Sequence, residues 1–161
     1  MTLRGLPIRA DDLRLVAILE NGEPSLCPCE LSPDAREVLD GTVQLYAAEG
    51  FAPPWIGYLA LAGGDVVGSC AFKAPPKDEH VEIACYSFPE NEGRGVATAM
   101  AQKLIDLVLH HDPSLIISAQ TPSHESAATR VLRKLGFRLR DSLHHPQDGI
   151  VWYWEREAIP T

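Results

Sequence analysis

No stretch of this sequence strings together the roughly 18 apolar residues that a membrane-spanning helix needs. Basic residues are also scarce. Fourteen Lys and Arg stand against 22 Asp and Glu, a formal net charge of −8, and no block of five Lys or Arg occurs. Such a chain makes a poor partner for nucleic acid or an anionic membrane; it is compatible with a cationic partner such as an amine, although most acidic domains are acidic only for solubility. The opening MTLRGLPIRADDLRL carries two acids where a secretory leader has an apolar centre, so a cytoplasmic protein is expected. Cysteine is present, but not in the form of a metal site. Of Cys27, Cys29, Cys70 and Cys85 only the first two are close, and their one-residue gap is shorter than that of a zinc hook. No second pair completes a site, so no metal is expected, and four reduced thiols are the simplest reading. Internal repeats and low-complexity segments are absent too.

What is there suits one packed domain over residues 1–161, since 45% of the chain is apolar. Leu13 to Leu19 reads as a strand or a short helix. Ser32-Pro33 is a helix start, with a capping hydroxyl and a proline in the first turn. Val38, Leu39, Val43 and Tyr46 give that helix an apolar stripe, and Gly50 ends it. Trp55–Leu61 and Asp65–Lys73 are strand-like and joined by Ala62-Gly63-Gly64, a hairpin signal. In a further strand, His80–Phe88, Val81, Ile83 and Cys85 share one face, and Glu82, Ala84 and Tyr86 the other. Val96, Met100, Leu104, Leu107 and Val108 then recur at helical spacing. Leu115–Ala119 reads as a buried strand, Ser126–Leu135 as a helix stopped by Gly136, and Phe137–Leu143 and Ile150–Glu155 as closing strands, with His144-His145 in a loop between them. The pattern is α/β (α+β): a mixed, mostly antiparallel sheet of six to seven strands with helices on both faces.

The chemistry concentrates at NEGRGVATA, Asn91 to Ala99, where a strand hands over to a helix. A helix N-terminus presents unpaired N–H groups and the positive end of its dipole. Gly93 and Gly95 let a ligand approach the backbone closely. The expected ligand is a phosphate or pyrophosphate on the amides from about Gly93 to Thr98, with Arg94 adding charge. The loop is no G-x-x-x-x-G-K-S/T phosphate loop, and it lacks the third glycine of a dinucleotide fingerprint. A plain tight turn remains the bland alternative.

Glu92-Gly93-Arg94-Gly95-Val96-Ala97 resembles the Q/R-x-x-G-x-G/A acyl-coenzyme A motif of the GNAT superfamily of N-acetyltransferases. SHESAATRVLRKLGF, Ser123 to Phe137, is similar to a second segment of that family in its branch that acetylates ribosomal-protein N-terminal alanines. The resemblance implies a GNAT fold with strands 4 and 5 splayed apart and acetyl-CoA, as co-substrate, between them. It implies pantetheine pairing with the backbone of Cys85, Tyr86 and Ser87. The pyrophosphate would lie on the loop Glu92, Gly93, Arg94, Gly95, Val96, Ala97 and Thr98. Further cofactor contacts would come from Glu125 and Thr129; Arg130, Arg133 and Lys134 would either reach the adenosine 3′-phosphate or form a solvated helix face. Glu92 and Glu125 depart from the usual Gln/Arg and Asn.

The resemblance further implies an acetyltransferase acting by direct attack of a primary amine, on a protein N-terminus or a small molecule, in a ternary complex. Glu82 stands where several members carry a catalytic base; the plainer alternative is that it faces solvent or pairs with His80 or a Lys. The usual proton donor for the leaving thiolate is missing: Leu132 takes the place of a Tyr and Ala128 that of a Ser. Trp55, Tyr58, Trp152 and Trp154 are candidates for an aromatic mouth around the acceptor, although core packing is the commoner use of such rings. Members of this family often pair as homodimers through edge strands. The rival expectation is an acyl-CoA-binding module that has lost its chemistry.

Overall fold

The computed structural model describes residues 6–26 and 30–157. Cys27 and Cys29 lie outside the described residues. In chain order the elements are β1 (Leu13–Ala17), α1 (Pro33–Glu49), β2 (Gly57–Ala62), β3 (Asp65–Phe72), β4 (His80–Ser87), α2 (Val96–His111), β5 (Ile116–Pro122), α3 (Ala127–Lys134), β6 (Arg138–His145) and β7 (Gly149–Glu157). They form one seven-stranded sheet in the order β1-β2-β3-β4-β5-β7-β6. The ambiguous first segment is a strand, paired antiparallel to β2. His144 and His145 do not form a loop as expected. They extend β6, opposite Ile150 and Gly149.

Gly57 and Gly68 show how the helices are layered. A Cβ on Gly57 would lie 3.1 Å from Thr42 of α1, and one on Gly68 would lie 3.2 Å from Met100 of α2. Gly57 pairs with Ala71, which is three residues from Gly68 along β3 and therefore on the opposite face. Hence α1 and α2 cover opposite faces of the sheet. α1 is tied down by Tyr46, whose hydroxyl donates to the carbonyl of Ile18 at 2.7 Å and accepts from the N–H of Gly57 at 2.9 Å. α2 presses Val96, Met100, Leu104, Ile105 and Val108 into the core, each at most 1% exposed. That apolar stripe is the i, i+4, i+8 pattern legible in the sequence.

Among the described residues, β4 and β5 are the only neighbouring strands that run parallel, and they pair over three rungs, His80–Ile116, Val81–Ile117 and Glu82–Ser118. Beyond Glu82, β4 continues to Ser87 bonded to β3 alone. β5 continues to Pro122 bonded to β7 alone. The sheet therefore opens into a V with Glu82 at its vertex.

Candidate active site

Inside the V, the backbone groups of Ile83 to Ser87 that face β5 have no strand partner. A buried N–H or C=O needs a partner, so this edge suits an extended ligand that carries amides of its own. Cys85 and Ile83 face the α2 side, as their pairing with Cys70 and Phe72 requires. Burial pushes the Cys85 thiol up to about 12, so it stays protonated and is no nucleophile. Tyr86 is 46% exposed and its ring meets Phe88 at 5.5 Å. Ser87 is half-buried at the open end of the strand.

From there the chain makes a short turn over Pro89–Asn91 and enters α2 through Gly93 and Gly95, both at positive φ, 79° and 84°. Gly95 has a second reason to be glycine: its Cβ would lie 3.2 Å from the carbonyl oxygen of Ile8. At Gly93 nothing lies within 4 Å of that position, so the loop faces open space. Gly95 is the N-cap and offers no side-chain acceptor, and the first turn of α2 holds no acid. Among the described residues, no group takes up the amides of Val96, Ala97 and Thr98. The side chain of Arg94 turns to the N-terminal segment, donating to Leu6 O at 3.0 Å and to Asn91 Oδ1 at 2.7 Å. An anion at this helix start would thus meet mainly backbone. Asn91 and Arg94 also border a cavity of about 1260 Å³, but Asp12, Glu30, Asp65 and Glu90 line it too, which suits no phosphate.

Glu82 faces the α1 side. Directly opposite it on β3's extension, the ammonium of Lys73 lies 2.7 Å from Glu82 Oε2. That oxygen is buried, and the contact lacks hydrogen-bond alignment, so its capacity to accept a directed bond is unused. The register lines up Glu82, Ser118 and Glu155 across β4, β5 and β7. Glu155 Oε2 accepts from the Tyr153 hydroxyl at 2.9 Å and lies 3.0 Å from His80 Nε2. Burial raises the Tyr153 phenol above its ordinary value, and the bond to Glu155 adds to this. Glu82 therefore sits in a polar row. Sequence reasoning left open that Glu82 pairs with His80 or a Lys, but it did not bring Ser118, Tyr153 and Glu155 into one row with it. The signal that could have found Tyr153 was its alternation with Trp152 and Trp154; what was missing was the pairing of β7 with β5. On the same face a small cavity of about 130 Å³ lies between α1 and the sheet, lined by Val38, Thr42, Ser69, Ala84 and Tyr86 among others.

The second segment is tied together by its own side chains. Thr129 is fully buried and its hydroxyl is used locally, 2.8 Å from Glu125 Oε2 and accepting from the Ser126 N–H at 3.0 Å. Its hydroxyl thus serves the cap at the start of α3. Glu125 is paired with Arg133, whose guanidinium also stacks over Trp154 at 5.0 Å. Leu132, in place of the tyrosine, is buried. The four aromatics do not share one mouth, since β3, β4 and β5 separate Tyr58 on β2, with Trp55 just before it, from Trp152 and Trp154 on β7. Trp55 packs on Phe72, and Trp154 is fully buried with its indole N–H donating to Thr121 at 3.0 Å.

A sheet that splays beside a helix start with free amides is the architecture of an acyl-coenzyme A-dependent transferase. Residues 2–138 match the model of the acetyltransferase (GNAT) domain, and the chain belongs to that family. Human N-acetylaspartate synthetase is 29% identical over 89 residues, which is 55% of this chain and 29% of that protein. The match thus spans less than a third of that relative's length. Among solved structures, the ribosomal L7/L12 α-N-protein acetyltransferase RimL in complex with coenzyme A superposes with a TM-score of 0.66 at 17% identity, over 91% of this chain and 94% of its own. A GNAT acetyltransferase from Bacillus anthracis gives 0.65 at 17% identity, over 94% of this chain and 98% of its own. At such identities these structures establish the shared fold. No helix among the described residues is long and apolar enough to cross a membrane.

Proposed function

We propose that this protein transfers an acetyl group from acetyl-CoA to a primary amine, with the co-substrate in the V between β4 and β5. The observation that carries this reading is the divergence of those strands beyond Glu82. The residues fit the ligand. The unpartnered β4 edge matches pantetheine amides. The amides at the start of α2, with Gly93 open before them, match a pyrophosphate. The thioester supplies the activated acyl carbon; the chain supplies position and proton transfer.

Glu82 is the base we assign. The acceptor arrives as an ammonium, and Glu82 takes one of its protons. The nitrogen then forms a C–N bond to the acyl carbon as the C–S bond breaks. The second proton from nitrogen leaves with the sulfur as a thiol, and Glu82 returns its proton to water. No side-chain acid is assigned, because Leu132 and Ala128 cannot donate. The free thiols of Cys70 and Cys85 suit the reducing cytoplasm in which we place the protein.

Titration with acetyl-CoA, followed by thiol release in the presence of amines, tests the reading. Micromolar binding with steady thiol release is expected. Glu82→Gln is expected to lower turnover by roughly 10²–10⁴-fold while leaving acetyl-CoA affinity nearly intact; an undiminished rate removes Glu82 from the role. Lys73 seated on Glu82, together with the missing acid, favours a second reading, an acyl-CoA-binding module without catalysis. Binding with no turnover on any amine would select it.

A further inference from the structure

We propose that Lys73 and Glu82 together receive a zwitterion, so that the acceptor is a free α-amino acid. This rests on the transferase reading above and narrows its substrate class. Lys73 and Glu82 stand opposite each other where β3 leads away from β4: the Lys73 N–H donates to the Glu82 carbonyl at 2.9 Å, and their charged groups lie 2.7 Å apart. The side chain of Glu82 is 24% exposed and that of Lys73 42%, so a ligand can reach both. The buried Glu82 Oε2 makes no directed hydrogen bond.

An ammonium that docks on Glu82 must part this pair, and Lys73 then needs another anion. Glu155, the other carboxylate in the row, is engaged by Tyr153, His80 and Arg140, and Ser118 lies between it and Glu82. A free amino acid brings the required anion itself, with its carboxylate carbon two bonds from the nitrogen. One internal ion pair is exchanged for two pairs with the ligand, and neither charge is stranded. A peptide N-terminus brings the same amine but has a neutral amide where the carboxylate would be, so Lys73 would lose its partner. A polyamine would set a further cation against it.

The test is an acceptor panel of free amino acids, the amide and methyl ester of each, a tripeptide with a free N-terminus, and spermidine. The best amino acid is expected to exceed its own amide in kcat/KM by about tenfold to a hundredfold, the worth of one charged contact. Lys73→Met should collapse that preference by lowering kcat/KM for the acid far more than for the amide, and Lys73→Arg should retain it. Amides or the tripeptide matching the free acids would overturn the inference. So would a Lys73→Met variant that slows both alike, since Lys73 would then only support Glu82. If acetyl-CoA binds but nothing on the panel is acetylated, the transferase reading itself falls, and this one with it.

Discussion

The helices of this protein begin in two ways. α1 and α3 are closed at their starts: Ser32 accepts from the N–H of Ala35 at 3.2 Å, and Ser126 and Thr129 cap each other. α2 begins at a glycine, with no side-chain cap and no acid in its first turn. Yet α2 is the helix most deeply seated in the core, with seven buried residues against two in α3. The difference is instructive. A helix with little core contact needs its cap to stand, whereas α2 is held by packing and can leave its amides for a ligand. An open N-terminus on a well-anchored helix, beside an open strand edge, marks a binding site more sharply than the glycines alone.

The strongest way to break the contrast is to close the open end. Gly93→Asp places a carboxylate in front of the free amides at a position with positive φ that Asp tolerates and with no atom within 4 Å. Held about 5 Å from a bound pyrophosphate at an effective dielectric near 20, that charge should weaken acetyl-CoA binding by about a hundredfold. The melting temperature should hold or rise slightly, because an anion favours a helix start. Calorimetric titration beside thermal unfolding checks both; undiminished affinity would place the pyrophosphate elsewhere.

A smaller effect is expected where the two halves of the site meet. A Cβ on Gly68 would lie 2.5 Å from the carbonyl oxygen of Tyr86 and 3.2 Å from Met100. Gly68→Ala therefore pushes β4 away from β3 or lifts α2. Overpacking of this kind costs about 1–3 kcal/mol. Because both displaced elements frame the V, stability and acetyl-CoA affinity should fall together. Chemical denaturation beside the same titration would show whether they do.

How much of this was legible in the sequence follows from the range of the forces involved. Ser32-Pro33, Gly50 and the stripe of α2 are local signals, and those elements came out near their expected bounds. NEGRG was legible as the glycine turn that opens α2, because a strand-to-helix handover with two glycines is a local signal. Glu82 was reached by resemblance, and its face by alternation. The row it belongs to was not legible. Lys73 is near in sequence, but Ser118, Tyr153 and Glu155 reach it only through the order β4-β5-β7, a choice of non-local pairings. The aromatic mouth failed for the same reason: Trp55 and Trp152 look alike in sequence, and three strands keep them apart.

The mildest test opens a closed end. Ser126→Ala removes the acceptor of the Thr129 N–H, and with it half of the reciprocal cap at the start of α3. A lost N-cap costs about 1 kcal/mol. α3 is short, and its buried residues are Thr129 and Leu132, so little packing offsets the loss. The unfolding midpoint should drop by a few degrees, while acetyl-CoA affinity stays within a factor of two or so of wild type, about 0.4 kcal/mol. A large fall in affinity with little loss of stability would mean that Ser126 faces the ligand. The contrast between a structural and a ligand-facing helix start would then fail at α3, and the cofactor site would have to extend from the amides of α2 to the second segment.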